Sequence, residues 1–383
     1  MKDSVKITFT GDIMCSPGVA KACKTNGSYD FSKLLENVRE ELNNTDYLVG
    51  NLETPIAGEE LLYTHDRYCF NTPIEFAAEI KRMGVDLACL ANNHCMDRDI
   101  AGICKTLDNL DSIGLEHIGV YRNKTERDKL FLKNINGLKV AFINYTYGTN
   151  AFYHKIFLPD DQCGMVNLFQ PQETLAGSID LQESAQDIKK KVDQLYGGAN
   201  DTYEIYIKPH LDILKQDILI AKQSADFVIV VMHSGGQYNE LPDAYTRMLT
   251  QIIRDFGADI IIGHHPHIIH PCDINQGYVT VFSLGNLIFE PSESPKEPID
   301  PAYSILLHVY LKREDKQARV DKLGFNLLKV IDKENCSSYT INTYNLLKQC
   351  HSDEEYERTL RYANLFANQH IFGEPQYEYS LEL

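Results

Sequence analysis

The chain has 383 residues, is 43% hydrophobic and 24% charged, and carries 54 acidic against 37 basic side chains, a formal net charge of −17. This composition excludes a largely disordered or collagen-like chain, and a chain of this length buries enough surface to fold without disulfides. The acidic balance, with Lys189 to Lys191 as the longest basic run, gives no reason to expect nucleic acid as a partner.

In chain order, Val5 to Thr10 alternates apolar and polar residues and predicts a strand that ends in Gly11-Asp12. Helix is predicted over 31–42. Tyr47 to Val49 predicts a short strand running into Gly50-Asn51-Leu52-Glu53. A helix over 75–83 leads to an apolar run, Val85 to Ala91, which stops at Asn92-Asn93-His94. The helix predicted over 100–113 places Ile103, Leu107 and Leu110 on one face. Leu138 to Tyr145 reads as a buried strand. A helix over 212–224 precedes Phe227 to Met232, which ends at His233. A helix over 243–256 precedes Ile260 to Ile262, which runs into Gly263-His264-His265-Pro266-His267. Val279 to Leu284 ends in Gly285-Asn286, and a charged surface helix is predicted over 352–371.

Strands alternating with helices predict an α/β fold, whose ligands sit beyond the strand ends. Two stretches read as additions. Residues 170–211 are polar and predict a helix plus a loop. Residues 290–301 hold four prolines and predict either a solvated loop or a lid. No apolar segment of roughly 7–15 residues follows Lys2, and no stretch of about 18 apolar residues occurs. No signal peptide and no membrane span are therefore expected. The ten cysteines form no Cys-x-x-Cys pair and are expected as free thiols of a cytoplasmic protein.

Four of the thirteen histidines fall within 264–270. Neutral imidazole is a common transition-metal ligand, and the stiff His265-Pro266-His267 step can aim two rings at one point. His265 and His267 are the expected ligands. His264 is a weaker candidate, and His270 is expected to support the structure. His233 precedes Ser234-Gly235-Gly236, where glycine permits close approach to a ligand. Asp12, Glu53 and the pair Asn93-His94 are ordinary turn residues singly, and their shared placement at strand ends raises each. Two divalent ions ~3.5–4 Å apart need a bridging carboxylate and mixed Asp, Asn and His ligands, and this set supplies them.

The motifs Gly11-Asp12-Ile13-Met14, Gly50-Asn51-Leu52-Glu53, Ala91-Asn92-Asn93-His94 with Asp97, Asn144 to Asn150, Gly263 to His267 and Ser283-Leu284-Gly285-Asn286 occur in that order. On these motifs the sequence resembles the CapA-type family of poly-γ-glutamate capsule synthesis proteins, itself similar in fold to the calcineurin-like metallophosphoesterases. The likeness covers roughly residues 4–290. It implies a metallo-dependent phosphatase-like α/β fold, a four-layer α/β/β/α sandwich, as a single domain over 1–383. The expected core is 4–311, with an insertion at 170–211 and a C-terminal extension at 312–383. The resemblance implies Asp12, Glu53, Asn93, His233, His265 and His267 as metal ligands and His94 as the proton donor to a leaving group. Asn286 is assigned a second catalytic role.

Two departures stand out. The phosphoesterases carry Asp-x-His after the first strand, and here Met14 takes the place of that histidine, so one metal is expected to be weakly held or absent. Family members often read His-Trp-Gly-x-Glu-Tyr around the middle histidine. This chain has His233-Ser234-Gly235-Gly236-Gln237-Tyr238 and no tryptophan, which leaves substrate identity open. The resemblance implies a hydrolase using one or two Mn, Fe or Zn ions on a phosphoester or γ-glutamyl substrate, either an anionic small molecule or polyglutamate. The alternative is a non-catalytic accessory that binds the polymer or a partner within a polyglutamate synthesis machine.

Overall fold

The fold was analysed in a computed structural model that describes all residues except 1–3, 65–68, 173–206, 276, 292–298, 315–316, 334–336, 369 and 382. Apart from a two-residue hairpin of Lys24–Thr25 with Ser28–Tyr29, the N-terminal strands β1 (Val5–Ile13), β2 (Tyr47–Leu52), β3 (Leu87–Cys89) and β4 (Glu116–Ile118) run parallel in one sheet. Helices α1 (Ile74–Arg82) and α2 (Asp99–Ile113) connect them. The next six strands form a second sheet: β5 (Leu132–Ile135), β6 (Leu138–Thr146), β7 (Phe227–His233), β8 (Ile260–His264), β9 (Cys272–Asn275) and β10 (Tyr278–Val281). Its order is β9-β10-β8-β7-β6-β5, with α3 (Lys208–Ser224) and α4 (Ala244–Phe256) as crossovers. The chain then returns to the first sheet through β11 (Asn286–Ile288), β12 (Tyr303–Glu314), β13 (Gln317–Lys333) and β14 (Ser337–Asn342). Helix α5 (Asp353–Ala367) and strand β15 (Tyr379–Leu381) follow.

The burial pattern explains the layers. Alternate residues of a strand face opposite sides of its sheet. Ile7, Phe9, Val49 and Leu87 of the first sheet meet Phe142, Ile229, Val231 and Ile262 of the second in a shared core. The opposite face of the first sheet, with Leu48, Leu52 and Ala88, packs on Phe76, Ile80, Ile103 and Leu107 of α1 and α2. The outer face of the second sheet, with Ile143, Val228 and Val230, packs on Leu214, Ile218, Leu249 and Ile253 of α3 and α4. The result is helix, sheet, sheet, helix: a four-layer α/β/β/α fold. Strands covered on both faces read as unbroken apolar runs, which is why β7 and β8 stand out in the sequence.

Two predicted elements differ. The helix over 31–42 is reduced to a 3-10 turn at Glu36–Val38 and a short helix at Arg39–Asn43, because Phe31, Leu34 and Leu35 bury from an irregular segment. The C-terminal helix is less peripheral than its charge implied. Tyr362, Ala363, Phe366 and Ala367 of α5 pack with Phe325 of β13 and Tyr379 of β15 in the inter-sheet core. Residues 317–381 also supply three strands of the first sheet. The expected insertion at 170–211 falls mostly outside the described residues, as does the middle of the proline-rich stretch at 290–301. Among the described residues no helix is long and apolar enough to cross a membrane.

One close contact sets the geometry of the strand ends. β1 and β11 pair in parallel at Asp12 and Asn286, and Asp12 N donates to Gly285 O at 2.8 Å. A Cβ on Gly11 would overlap that Gly285 carbonyl, and Gly285 itself turns at φ 74°. Glycine is required at both positions. Gly11→Ala is expected to lower stability by about 1–3 kcal/mol through overpacking. A denaturant titration should show a lower midpoint at unchanged slope.

A buried histidine predicts a pH effect. His308 on β12 is fully buried, with Nδ1 2.9 Å from Thr8 Oγ1 and Nε2 2.7 Å from Asn326 Oδ1. Burial first, and then the charge of Lys6, push its pKa from 6.5 down to about 4. The folded state thus holds the ring neutral where the unfolded chain already takes up a proton. Its contribution is fully present above pH 6.5 and is lost as pH falls toward 4, on the order of 3 kcal/mol. His308→Gln should flatten the loss of stability between those pH values, measured as the denaturant midpoint against pH; an unchanged slope would remove His308 from the account.

Candidate metal centre

The site lies where the two sheets present their strand ends to each other. Asp12 is the penultimate residue of β1, and Glu53 directly follows β2, which holds Asn51. The turn after β3 carries Asn92, Asn93 and His94. β7 ends in His233, which stands in register with His264 at the end of β8. The His265-Pro266-His267 turn then folds back over Asp12. All of these side chains are buried. The turn is tight: His265 has φ 101° and His267 φ 60°, both in the left-handed region that favours glycine. Strained backbone of this kind persists when the surrounding structure over-determines it.

Four potential ligand atoms converge around His233. Its Nε2 lies 2.8 Å from Asn93 Oδ1, 3.0 Å from His265 Nδ1 and 3.5 Å from Glu53 Oε1. A second group forms on the other side of the same carboxylate, where Glu53 Oε1 is 3.7 Å from His267 Nε2 and Asp12 Oδ2 is 3.0 Å from His267 Nδ1. The triads Glu53-His233-His265 and Asp12-Glu53-His267 each have ligand atoms within 4.8 Å of one another, and they share Glu53. Glu53 Oε1 is buried without a hydrogen-bond partner. A buried carboxylate oxygen facing imidazole nitrogens is what a divalent cation satisfies, so the residues present fit one.

The electrostatics agree with that fit. Burial would push Asp12 up, but hydrogen bonds with His264 and His267 outweigh it and hold its carboxyl well below the usual range. Burial and then the nearby Asp12 charge push Glu53 well above its usual range. Burial and then His265 push His233 well down, and burial with His267 pushes His265 down to about 3. These two imidazoles are therefore neutral at neutral pH, the form that ligates metal.

Other predicted residues stand behind the ligands. Asn286 Nδ2 donates to His267 O at 2.8 Å and Pro301 O at 3.3 Å, which turns its Oδ1 to His267 Nδ1 at 3.0 Å. From this place Asn286 can orient the His267 ring. His264 Nδ1 lies 2.9 Å from Asp12 Oδ1 and supports that carboxylate. His270 Nε2 sits 2.6 Å from Asn239 O. Met14 packs against Phe289, Ala302 and Val330.

His94 faces a cleft of about 260 Å³ lined by Asn93, His94, Asn150, Tyr153 and Gln237. Its Nδ1 is 2.7 Å from Asp97 Oδ2, which also accepts from Phe70 N at 2.7 Å. Burial would raise the Asp97 pKa, but His94 and its hydrogen bonds hold the carboxyl below its ordinary value. The Phe70 ring stacks on His94 at 4.2 Å, and His154 Nε2 lies 3.1 Å from Asp97 Oδ1. Tyr147 packs on His265 with ring centroids 4.9 Å apart. Phe70 and His154 carry no strand-end signal of their own, and sequence reasoning missed them, whereas Tyr147 follows β6 within the Asn144 to Asn150 motif. A larger cavity of about 500 Å³, lined by residues such as Arg122, Asp160 and Met165, contains none of the candidate ligands.

Comparison with known proteins gives a consistent picture. Residues 6–291 match the family model described as bacterial capsule synthesis protein PGA_cap. The chain is 27% identical over 290 residues to the PGA biosynthesis protein CapA of Bacillus subtilis (strain 168), covering 75% of this chain and 64% of that one. It is 26% identical over 295 residues to the capsule biosynthesis protein CapA of Bacillus anthracis, covering 75% and 60%. The matched region thus spans less than two thirds of either relative's length. Among solved structures it is similar to the calcineurin-like phosphoesterase YfkN from Bacillus subtilis, at 14% identity and TM-score 0.43, covering 92% of this chain and 98% of that one. With the family model matched over most of its length, the chain belongs to the bacterial capsule synthesis protein PGA_cap family.

Proposed function

We propose that this chain is a metal-dependent hydrolase that cleaves a phosphoester or γ-glutamyl bond of an anionic substrate in the synthesis or processing of capsular polyglutamate. The observation that carries this reading is the unpartnered Glu53 Oε1, enclosed by His233 and His267 beside a histidine-carboxylate pair that opens on a cleft. Asp12, Glu53, Asn93, His233, His265 and His267 would hold the metal. A bound Mn, Fe or Zn ion supplies Lewis acidity and lowers the pKa of a bound water. Asp97 accepts from His94 Nδ1 and fixes the ring, which leaves Nε2 as the atom that carries a proton to the leaving group. Phe70 limits ring rotation by stacking. Asn286 and His264 keep His267 and Asp12 aimed at the shared centre.

A second reading is supported by Met14, whose apolar packing leaves no ligand at that position. In it, the site binds an anionic polymer without turning it over, as an accessory of the synthesis machinery.

Metal analysis separates the two readings when paired with turnover. Protein purified without chelator or tag should hold about one to two equivalents of Mn, Fe or Zn. His265→Ala should lose most of that metal together with all cleavage of phosphodiester and γ-glutamyl test substrates. His94→Asn should keep the metal and lose ~10²–10⁴-fold in kcat, least for substrates whose leaving group needs no proton. Metal-loaded wild-type protein that binds polyglutamate and cleaves nothing would establish the accessory reading instead.

A further inference from the structure

Between the candidate ligands runs a chain of amides that coordinates nothing. Asn51 is buried on β2, opposite Asp12 in the strand register. Its Nδ2 donates to Asp12 Oδ1 at 2.7 Å and to Glu53 Oε2 at 3.1 Å, so one amide group spans both carboxylates. Its Oδ1 accepts from Asn92 Nδ2 at 3.2 Å. Asn92 Nδ2 also donates to Leu52 O at 2.9 Å, and Asn92 Oδ1 accepts from His94 N at 3.2 Å.

The orientation of these amides follows from the backbone. Oxygen and nitrogen of an asparagine side chain are distinguished by their hydrogen-bond partners. A backbone carbonyl, Leu52 O, can only accept, and a backbone amide, His94 N, can only donate. Together they fix which end of Asn92 is which. Asn92 then presents a hydrogen to Asn51, so Asn51 turns its oxygen to Asn92 and both hydrogens to the carboxylates. Asn92 directs its two NH₂ hydrogens to two acceptors, and Asn51 directs its own to the two carboxylates, with His233 Nδ1 as a longer third contact at 3.4 Å.

We propose that Asn51 is a positioning residue of the metal centre, a neutral donor that holds Asp12 and Glu53 side by side, and that Asn92 acts through it. The proposal rests on the metal-centre reading above. A donor here does what a third carboxylate could not. It screens two buried negative groups from each other and leaves Glu53 Oε1 and Asp12 Oδ2 facing the histidines. The same relay ties the carboxylates to the His94 turn, so the ligands and the proposed proton donor share one frame. Groups that orient metal ligands are typically worth 10–100-fold in metal affinity.

The test is a double-mutant cycle on manganese affinity, read by calorimetry with Mn²⁺ alone on chelator-stripped protein. Asn51→Ala should weaken binding about 10–100-fold. Asn92→Ala, which removes no contact to a carboxylate, should weaken it by a smaller factor. The double variant should lose less affinity than the two single losses combined, because part of the effect of Asn92 passes through Asn51. Asn51→Ser, which keeps a hydroxyl donor, should recover part of the loss and serves if the alanine variant does not fold. Affinity within twofold of wild type in Asn51→Ala or Asn51→Ser, or losses that simply add in the double variant, would overturn the proposal while leaving the metal centre intact. Wild-type protein that binds no Mn²⁺ would overturn the metal centre and this role with it.

Discussion

The constraint on which the rest depends is the burial of two carboxylates within reach of one amide. Asp12 and Glu53 are both fully buried, and an uncompensated charge in such a place costs several kcal/mol. The surrounding residues divide the problem unequally. Asp12 accepts from Asn51 and faces His264 and His267, so it keeps its charge. Glu53 has one oxygen on Asn51 and the other without a partner. That asymmetry locates the demand for a cation at a single oxygen atom. The strand register, the close approach of Gly11 to Gly285 and the strained histidine turn can all be traced to bringing ligands toward that point.

Strands from both sheets contribute. Asp12 and Glu53 come from the first sheet, His233 from the second, and His265 and His267 from the turn that follows β8. Side chains from two independent sheets converge only if the sheets dock in one relative position. The shared core of Ile7, Phe9, Phe142, Val231 and Ile262 fixes that position a few residues before the site. Tight packing there supplies the rigidity that a metal centre needs, since ligand positions tolerate only small errors.

Much of this was legible in the sequence, for physical reasons that differ by residue. The parallel strands were legible because burial on both faces leaves unbroken apolar runs, and each run ends where a polar cluster must reach the site. The histidine turn was legible by density. Helix α5 was misread because its exposed face carries most of the charges and its buried face has just four apolar residues, Tyr362, Ala363, Phe366 and Ala367, beside Glu355 and Thr359. Asn51 was passed over in favour of Glu53, since an amide between two carboxylates has meaning only once its partners are known. His154 sits on a short helix after a loop, and nothing local in the sequence ties it to Asp97, from which it is 57 positions distant.

The span of chain between partners has a bearing on synthesis. His264 meets Asp12 across 252 positions, and Asn286, which orients His267, comes later still. A polypeptide emerging from the ribosome presents its first carboxylates long before the histidines exist. The candidate ligand set is complete only once His267 has been made. A product truncated before His233 would carry only Asp12, Glu53 and Asn93 of the candidate set, oxygen ligands suited to hard cations such as magnesium rather than to a transition metal.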